Sequence, residues 1–309
     1  MLFLIRALSR LRLCTLHRLG HVLGWLAYAL SPSYRQRLRA NAALAGLTRA
    51  QRHGAVAAAG RMVAELPWLW LRPPGTPLGQ HVQWQAPELI DQALQAGRGL
   101  VLLTPHLGCF EVCAQAIAER FGDRTVLTAM YRPARQAWLR ELEETARARP
   151  GLATAPAALA GVRQMLRALR KGQAVGLLPD QVPPRGMGVW APFYGQPAYT
   201  MTLASRLVQQ TGAALLMIWA ERLPQGQGFV LRVSTPKQHL PMPAEAAHLS
   251  AHPATDEAAW QLASAHAINL EMQALIAQCP QQYLWGYHRY KQPREPEAAT
   301  SAKTTGTTA

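Results

Sequence analysis

The sequence predicts an α/β fold: a mixed sheet flanked by helices and preceded by a basic amphipathic helix that docks on a membrane. Three observations carry this reading. Short, wholly apolar runs recur, and several stop at a proline or glycine, the mark of buried strands. Helical stretches alternate with these runs, which argues for a sheet covered by helices. The first 30 residues repeat leucines at helical spacing with arginines set between them.

Within residues 1–30, Leu4, Leu8, Leu11, Thr15, Leu19, Val22, Leu23, Leu26 and Leu30 recur at helical spacing. Arg6, Arg10, Arg12 and Arg18 interrupt them, and the longest uncharged stretch, Leu19 to Tyr34, falls short of the ~20 residues a span needs. Charge continuing through the apolar region argues against a secretory signal. An interfacial helix fits, with Trp25 and Tyr28 at headgroup depth. The competing reading is a helix that packs on the globular body. The following segment also reads as helical up to Pro73. Its cluster of Leu66, Trp68, Leu69, Trp70 and Leu71 is either core or a second apolar patch.

The alternation then begins. Strands are expected over 99–104, 125–130, 174–178, 213–220 and 229–233, the last pairing with the one before it through a glycine-containing turn at 224–228. Helices are expected over 111–120, 138–149, 162–170, 203–210 and 258–278, with Lys171-Gly172 and Gly212 as stops. The chain is expected to divide into residues 1–35 (membrane-associating helix), 36–291 (the α/β body) and 292–309, a tail poor in apolar residues that is expected to be disordered.

Composition narrows the function. Of 309 residues, 49% are hydrophobic, enough for a sizeable core, and only 16% are charged, against a usual quarter or so. The net charge is +15, and the basic residues are nearly all arginine, since lysine occurs only at 171, 237, 291 and 303. Such a chain favours anionic partners. Neither a nucleic-acid-binding module nor a dense basic run is present, so lipid, phosphate or an acidic protein fits better than nucleic acid. Four cysteines form no disulfide framework. A zinc site or a cysteine nucleophile at Cys109 and Cys113 lacks the necessary partners. No G-x-S-x-G elbow, P-loop or G-x-G-x-x-G loop occurs.

The chemistry concentrates in TPHLGCFEV, residues 104–112. His106 sits just beyond the carboxyl end of an expected strand, where open α/β sheets bind ligands. Glu111 follows at the start of a helix. A carboxylate near such a histidine can fix its tautomer and raise its basicity, so that the pair takes a proton from an attacking hydroxyl. A histidine capping a helix or packed in the core is the alternative.

A histidine, four residues and an acid directly after a strand resembles the glycerolipid acyltransferase signature. Five blocks in order are similar to the late acyltransferases of lipid A biosynthesis: LLTPHLGCFE (102–111), GVRQMLRALRKG (161–172), VGLLPDQ (175–181), PFYGQPAYT (192–200), and PQQYLW with HRYK (280–285, 288–291). The resemblance implies His106 as general base and Glu111 as its orienting partner. It also implies a functional arginine between the first two blocks, for which Arg147 and Arg149 are candidates, and an Asp-Gln pair at Asp180 and Gln181. Arg132, Arg135, Arg163 and Arg185, near the blocks, are further candidates for substrate phosphates, and a groove partly lined by the Trp-rich segment would take the acyl chain. The donor would be acyl carrier protein and the acceptor an anionic glycolipid or phospholipid. The place would be the cytoplasmic face of the inner membrane, with no metal or organic cofactor. The departures are Cys109-Phe110 where Asn-Trp is common, an eroded early signature at 41–48, and Tyr194 where a second Phe is usual. They bear on the acceptor, so another lipid such as a lysophospholipid stays open, as does a non-catalytic basic membrane-binding protein.

Overall fold

The computed structural model describes residues 2–73, 75–132, 134, 136–241 and 253–295. Arg135 and the tail from 296 onward lie outside the described residues. The single helix expected over residues 1–30 is two helices, α1 (Leu2–Ser9) and α2 (Leu13–Leu30), broken at Arg10–Arg12. Helices α3 (Pro32–Leu44) and α4 (Arg49–Trp70) follow. Thr48 caps α4 in a reciprocal box with Gln51. No described helix is long and apolar enough to cross a membrane.

Helix α2 packs on α4 through its small residues. Gly20 and Gly24 meet Gly60 so closely that a Cβ on Gly60 would fall on the Gly20 carbonyl and the Gly24 backbone. Leu13, Leu16 and His17 are buried on the same side. The outward side carries Leu19, Val22, Leu23, Leu26 and Leu30, all exposed. The leucines spaced in the sequence are therefore this outward stripe, and the glycines between them form the seam.

Below the seam lies a buried charge cluster. Glu65 is fully buried and accepts from His17 Nε2 (3.0 Å) and Arg222 Nε (2.6 Å), with a second Arg222 nitrogen on its other oxygen. Burial alone would raise the Glu65 carboxyl, but the Arg222 charge and hydrogen bonds, with those of His17, hold it below the usual glutamate value. Arg222 also donates to the Gly108 carbonyl (3.1 Å), so the cluster ties α2 and α4 to the loop after His106.

The main sheet has seven strands in the order β1-β9-β8-β2-β5-β3-β4. These are β1 (Val82–Gln85), β2 (Leu100–Leu103), β3 (Leu127–Tyr131), β4 (Leu152–Pro156), β5 (Ala174–Leu177), β8 (Ala214–Arg222) and β9 (Phe229–Ser234). Five run parallel, while β9 runs antiparallel to β8, as expected, and β1 follows β9. All of β2 is buried, as befits an interior parallel strand. Leu100 and Leu102 face the cluster formed with α5 (Glu88–Gln95) and α6 (Phe110–Phe121). Val101 and Leu103 face the one formed with α8 (Leu159–Arg170), α9 (Leu203–Thr211) and α10 (Pro253–Gln278). Helix α7 (Ala137–Arg147) lies before β4.

Four strands and helix α5 escaped the sequence reading. Strands β1 and β4 are short edge strands, and β4 ends in Pro156, a residue that demotes a run. Strands β6 (Gly188–Phe193) and β7 (Gln196–Met201) form a separate antiparallel hairpin. Its turn is Tyr194-Gly195, both with positive φ (48° and 74°), a two-residue hairpin turn written without the usual Asn-Gly.

Replacing Gly60 with Val should separate α2 from α4 and lower the urea midpoint, at a cost of about 1–3 kcal/mol or more. Glu65→Ala should cost about 3–5 kcal/mol, because Arg222 is left charged and unpaired in the core. The Glu65 pKa is depressed in the fold. The stability it contributes is therefore full above the unfolded glutamate value and is lost as pH falls through the folded one. Urea titrations across acidic pH should show a steeper decline for wild type than for a Glu65→Gln/Arg222→Gln double variant.

Candidate active site

The parallel register of β2 and β5 builds the site. Leu103 pairs with Leu177 at the carboxyl ends of the two strands. His106 lies three residues past the first and Asp180 three past the second. The loops bring them together: Asp180 Oδ1 accepts from His106 Nδ1 at 2.8 Å, and Asp180 Oδ2 accepts from the His106 backbone N–H at 2.9 Å. The Gln181 side-chain amide sits 2.9 Å from His106 Nε2.

The carboxylate on the histidine ring is therefore Asp180, which corrects the expectation for Glu111. Glu111, at the start of α6, instead accepts from Arg147 Nη2 (3.1 Å) and Trp70 Nε1 (3.4 Å). The reason is direction. Glu111 is turned toward Arg147 and Trp70, whereas the loop after β5 brings Asp180 to His106 Nδ1.

Asp180 is buried at 1% exposure. Burial would raise its carboxyl, but the His106 charge, two hydrogen bonds from His106 and the Arg289 charge outweigh that and hold it below the usual aspartate range. Tyr283, also buried, is pushed well above the usual tyrosine value, first by burial and then by the Asp180 charge and a hydrogen bond to it. An ionised Asp180 assigns the imidazole proton to Nδ1 and leaves Nε2 as the acceptor.

The loop carrying His106 is pinned on every side. Its carbonyl accepts from Leu284 N–H (3.1 Å), Gly108 N–H donates to Gln282 (3.1 Å), and Cys109 N–H donates to Ala220 (2.9 Å). Gly108 has φ +62°, and a Cβ there would strike the Ala220 carbonyl, so glycine is required. The closing segment that supplies these contacts is held by α3, where Asn41 Nδ2 donates to the carbonyls of Trp285 (2.7 Å) and Tyr287 (2.8 Å). Asn41 stands in the eroded early signature, and its clamp on residues 285–287 was not legible from it.

A cavity of about 740 Å³ opens beside His106. Its apolar wall includes Phe110, Met130, Leu159, Val162, Leu166 and Leu203, while Arg132, Arg147, Arg206 and Lys291 bring positive charge. Arg147 Nη1 is buried with no hydrogen bond. Its nearest described carboxylate besides Glu111 is Glu143, at 3.6 Å.

The other expected residues fall as follows. Arg149 donates to the Leu69 and Arg72 carbonyls (3.4 and 2.9 Å), closing the end of α4 rather than reaching the cavity. Arg163 is exposed on α8 and is not in the lining. Arg185 pairs with Glu295 (2.9 Å) at the surface. The Trp-rich segment does not line the cavity either. Trp70 touches it only through Glu111, and Trp68 and Trp70 pack into the core behind α6. Among the described residues no group of His, Cys, Asp and Glu is placed to hold a metal ion. Cys109 and Cys113 are buried free thiols, both raised by burial, the latter to about 12.

The chain is 25% identical over 243 residues to the lipid A biosynthesis lauroyltransferase of Escherichia coli (strain K12), covering 78% of this chain and 71% of that protein. Residues 1–292 match the family described as bacterial lipid A biosynthesis acyltransferase. A chain with this arrangement beyond β2 and β5, matched over nearly its whole length, is an acyltransferase and belongs to the bacterial lipid A biosynthesis acyltransferase family.

Proposed function

We propose that the protein moves a fatty acyl chain from acyl carrier protein to a hydroxyl of a lipid A precursor at the cytoplasmic face of the inner membrane, with His106 as general base oriented by Asp180. The observation that carries this reading is the doubly held histidine at the mouth of an apolar cavity with cationic residues in its lining.

In this reading the acceptor hydroxyl takes the place of the Gln181 amide at Nε2. Its proton passes to Nε2 as its oxygen attacks the thioester carbon. The imidazolium that forms is stabilised by ionised Asp180. The tetrahedral intermediate then collapses, the C–S bond breaks, and the proton leaves with the thiolate. Helix α6 opens at Phe110, beside the cavity, so its positive end suits the developing oxyanion. The apolar wall suits the acyl chain, and the unsatisfied Arg147 nitrogen suits a phosphate of the acceptor. Glu111 then aims Arg147 instead of the histidine. The exposed stripe of α2 rests on the membrane interface, and the net +15 favours both the acidic carrier protein and anionic lipid.

The test is an acyl-transfer assay read by mass spectrometry, with acyl–acyl carrier protein and acyl–coenzyme A as donors and a tetraacylated lipid A precursor and a lysophospholipid as acceptors. A lipid A product one acyl unit heavier is expected from the carrier-protein donor. Transfer only to the lysophospholipid would move the acceptor, and no transfer by folded protein would sink the reading.

His106→Ala should lower kcat by about 10²–10⁴. Asp180→Asn should lower kcat by a comparable factor, because the wrong tautomer is then favoured. Glu111→Gln should act mainly on KM for the phosphorylated acceptor, through Arg147. A kcat loss for Glu111→Gln as large as that for Asp180→Asn, with KM unchanged, would return the orienting role to Glu111.

A further inference from the structure

A second cleft, of about 560 Å³, opens between α2, α3 and α4, away from His106. Arg39 of α3 and Arg49, Arg52 and His53 of α4 line it, with Tyr28 of α2 at its edge. No carboxylate is in the lining. Among the described residues the guanidinium groups of Arg39, Arg49 and Arg52 make no ion pair or hydrogen bond. Guanidinium groups gathered in a concavity repel one another and gain most from an anion with several acceptor oxygens.

The neighbourhood says which anion. Tyr28 lies on α2, the helix whose outward stripe of leucines is exposed, Val22 at 63% and Leu26 at 50%. Trp25 packs edge-on against His53 (ring centroids 5.4 Å apart) and against Tyr28 (5.7 Å), forming an aromatic border between apolar stripe and cationic cleft. Apolar surface, then aromatics, then positive charge is the order met on passing from acyl chains to head groups at a bilayer surface. An acidic protein would match the charge but would have no use for the exposed leucines alongside it. The cleft is also one helix away from the candidate active site: Arg37 and Asn41 of α3 hold the carbonyls of residues 285–287, and Tyr287 lines the cavity beside His106.

We infer that the α2–α3–α4 cleft binds the phosphate head group of an anionic phospholipid, seating α3 at the bilayer surface and thereby fixing the height of the cavity mouth above it. The inference rests on the reading that α2 lies on a membrane.

The test is co-sedimentation of the full-length protein with phosphatidylcholine vesicles, with and without phosphatidylglycerol. Three variants are compared with wild type, each checked for folding by circular dichroism. The cleft variant is Arg39→Gln/Arg49→Gln/Arg52→Gln. The control, Arg167→Gln/Arg170→Gln/Lys171→Gln, removes the same charge from the exposed end of α8, which leads into the amino end of β5. The third, Leu23→Asp/Leu26→Asp, breaks the stripe. The cleft variant should lose about tenfold or more of its partition onto phosphatidylglycerol vesicles, and the control less than twofold. Equal losses in both would show that charge alone acts and would overturn the inference. So would wild-type vesicle binding by the cleft variant, and a loss confined to capture on immobilised acyl carrier protein would give the cleft to a protein partner. The stripe variant reports on the membrane reading separately. If it binds both vesicle types like wild type, that reading falls, while the head-group inference is still decided by the two arginine sets.

Discussion

One constraint organises the molecule: the parallel register that ends β2 and β5 side by side at Leu103 and Leu177. Everything at the candidate site is measured from that pair. Three residues on from one end comes an imidazole, and three on from the other a carboxylate. The carboxylate holds both the ring and the backbone amide of the same histidine. A register slip of one residue would turn every inward side chain outward and carry Asp180 away from His106. The burial of β2 on both faces is what prevents the slip, since Leu100, Leu102, Val101 and Leu103 each have a packed layer to enter. Core packing and site geometry are in this sense the same specification.

The site is then secured from outside the sheet. Arg222 and Glu65 stand 157 residues apart, yet they form the buried pair that joins α4 to the Gly108 carbonyl. Exposing neither charge has a cost, which the mutual pairing, the His17 contact and the depressed Glu65 carboxyl offset. The result is mechanical. The two helices bearing the apolar stripe and the cationic cleft are rigidly tied to the loop that carries His106. Helix α3 makes a second tie through Asn41 and the closing segment. The apolar stripe of α2 and His106 are thus tied together by buried polar contacts, which tolerate less play than apolar packing.

How much of this the sequence displays depends on how local each cause is. The interior strands β2, β5 and β8 were legible because a buried parallel strand must be apolar on both faces. Strands β1 and β4 were not, because an edge strand of four or five residues carries too few positions to show a period. The hairpin hid behind Tyr194-Gly195, a turn whose first residue adopts positive φ without being Asn or Asp. His106 was legible from its place after a strand, and Asp180 and Gln181 from their resemblance to a family pair. The Arg222–Glu65 pair was not, since nothing in the neighbours of either residue announces a partner so distant. The early break at Arg10–Arg12 was missed because a three-residue interruption leaves the leucine period almost unchanged on either side.

Spacing and resemblance paired Glu111 with the histidine, while in the structure the carboxylate on the ring is Asp180. A histidine with four residues before an acid is a statement about one loop and one helix start, and it leaves the direction of each side chain unset. At the start of α6, Glu111 accepts from Arg147 and Trp70. The group that reaches the ring comes from the neighbouring strand, a long-range contact. An acid at a helix start is still well placed there, because the helix dipole favours negative charge. It pairs there with a guanidinium at the cavity wall. Two carboxylates therefore divide two tasks by environment. Asp180, buried, is bonded to the histidine ring, and Glu111, mostly buried beside a cation, is bonded to Arg147.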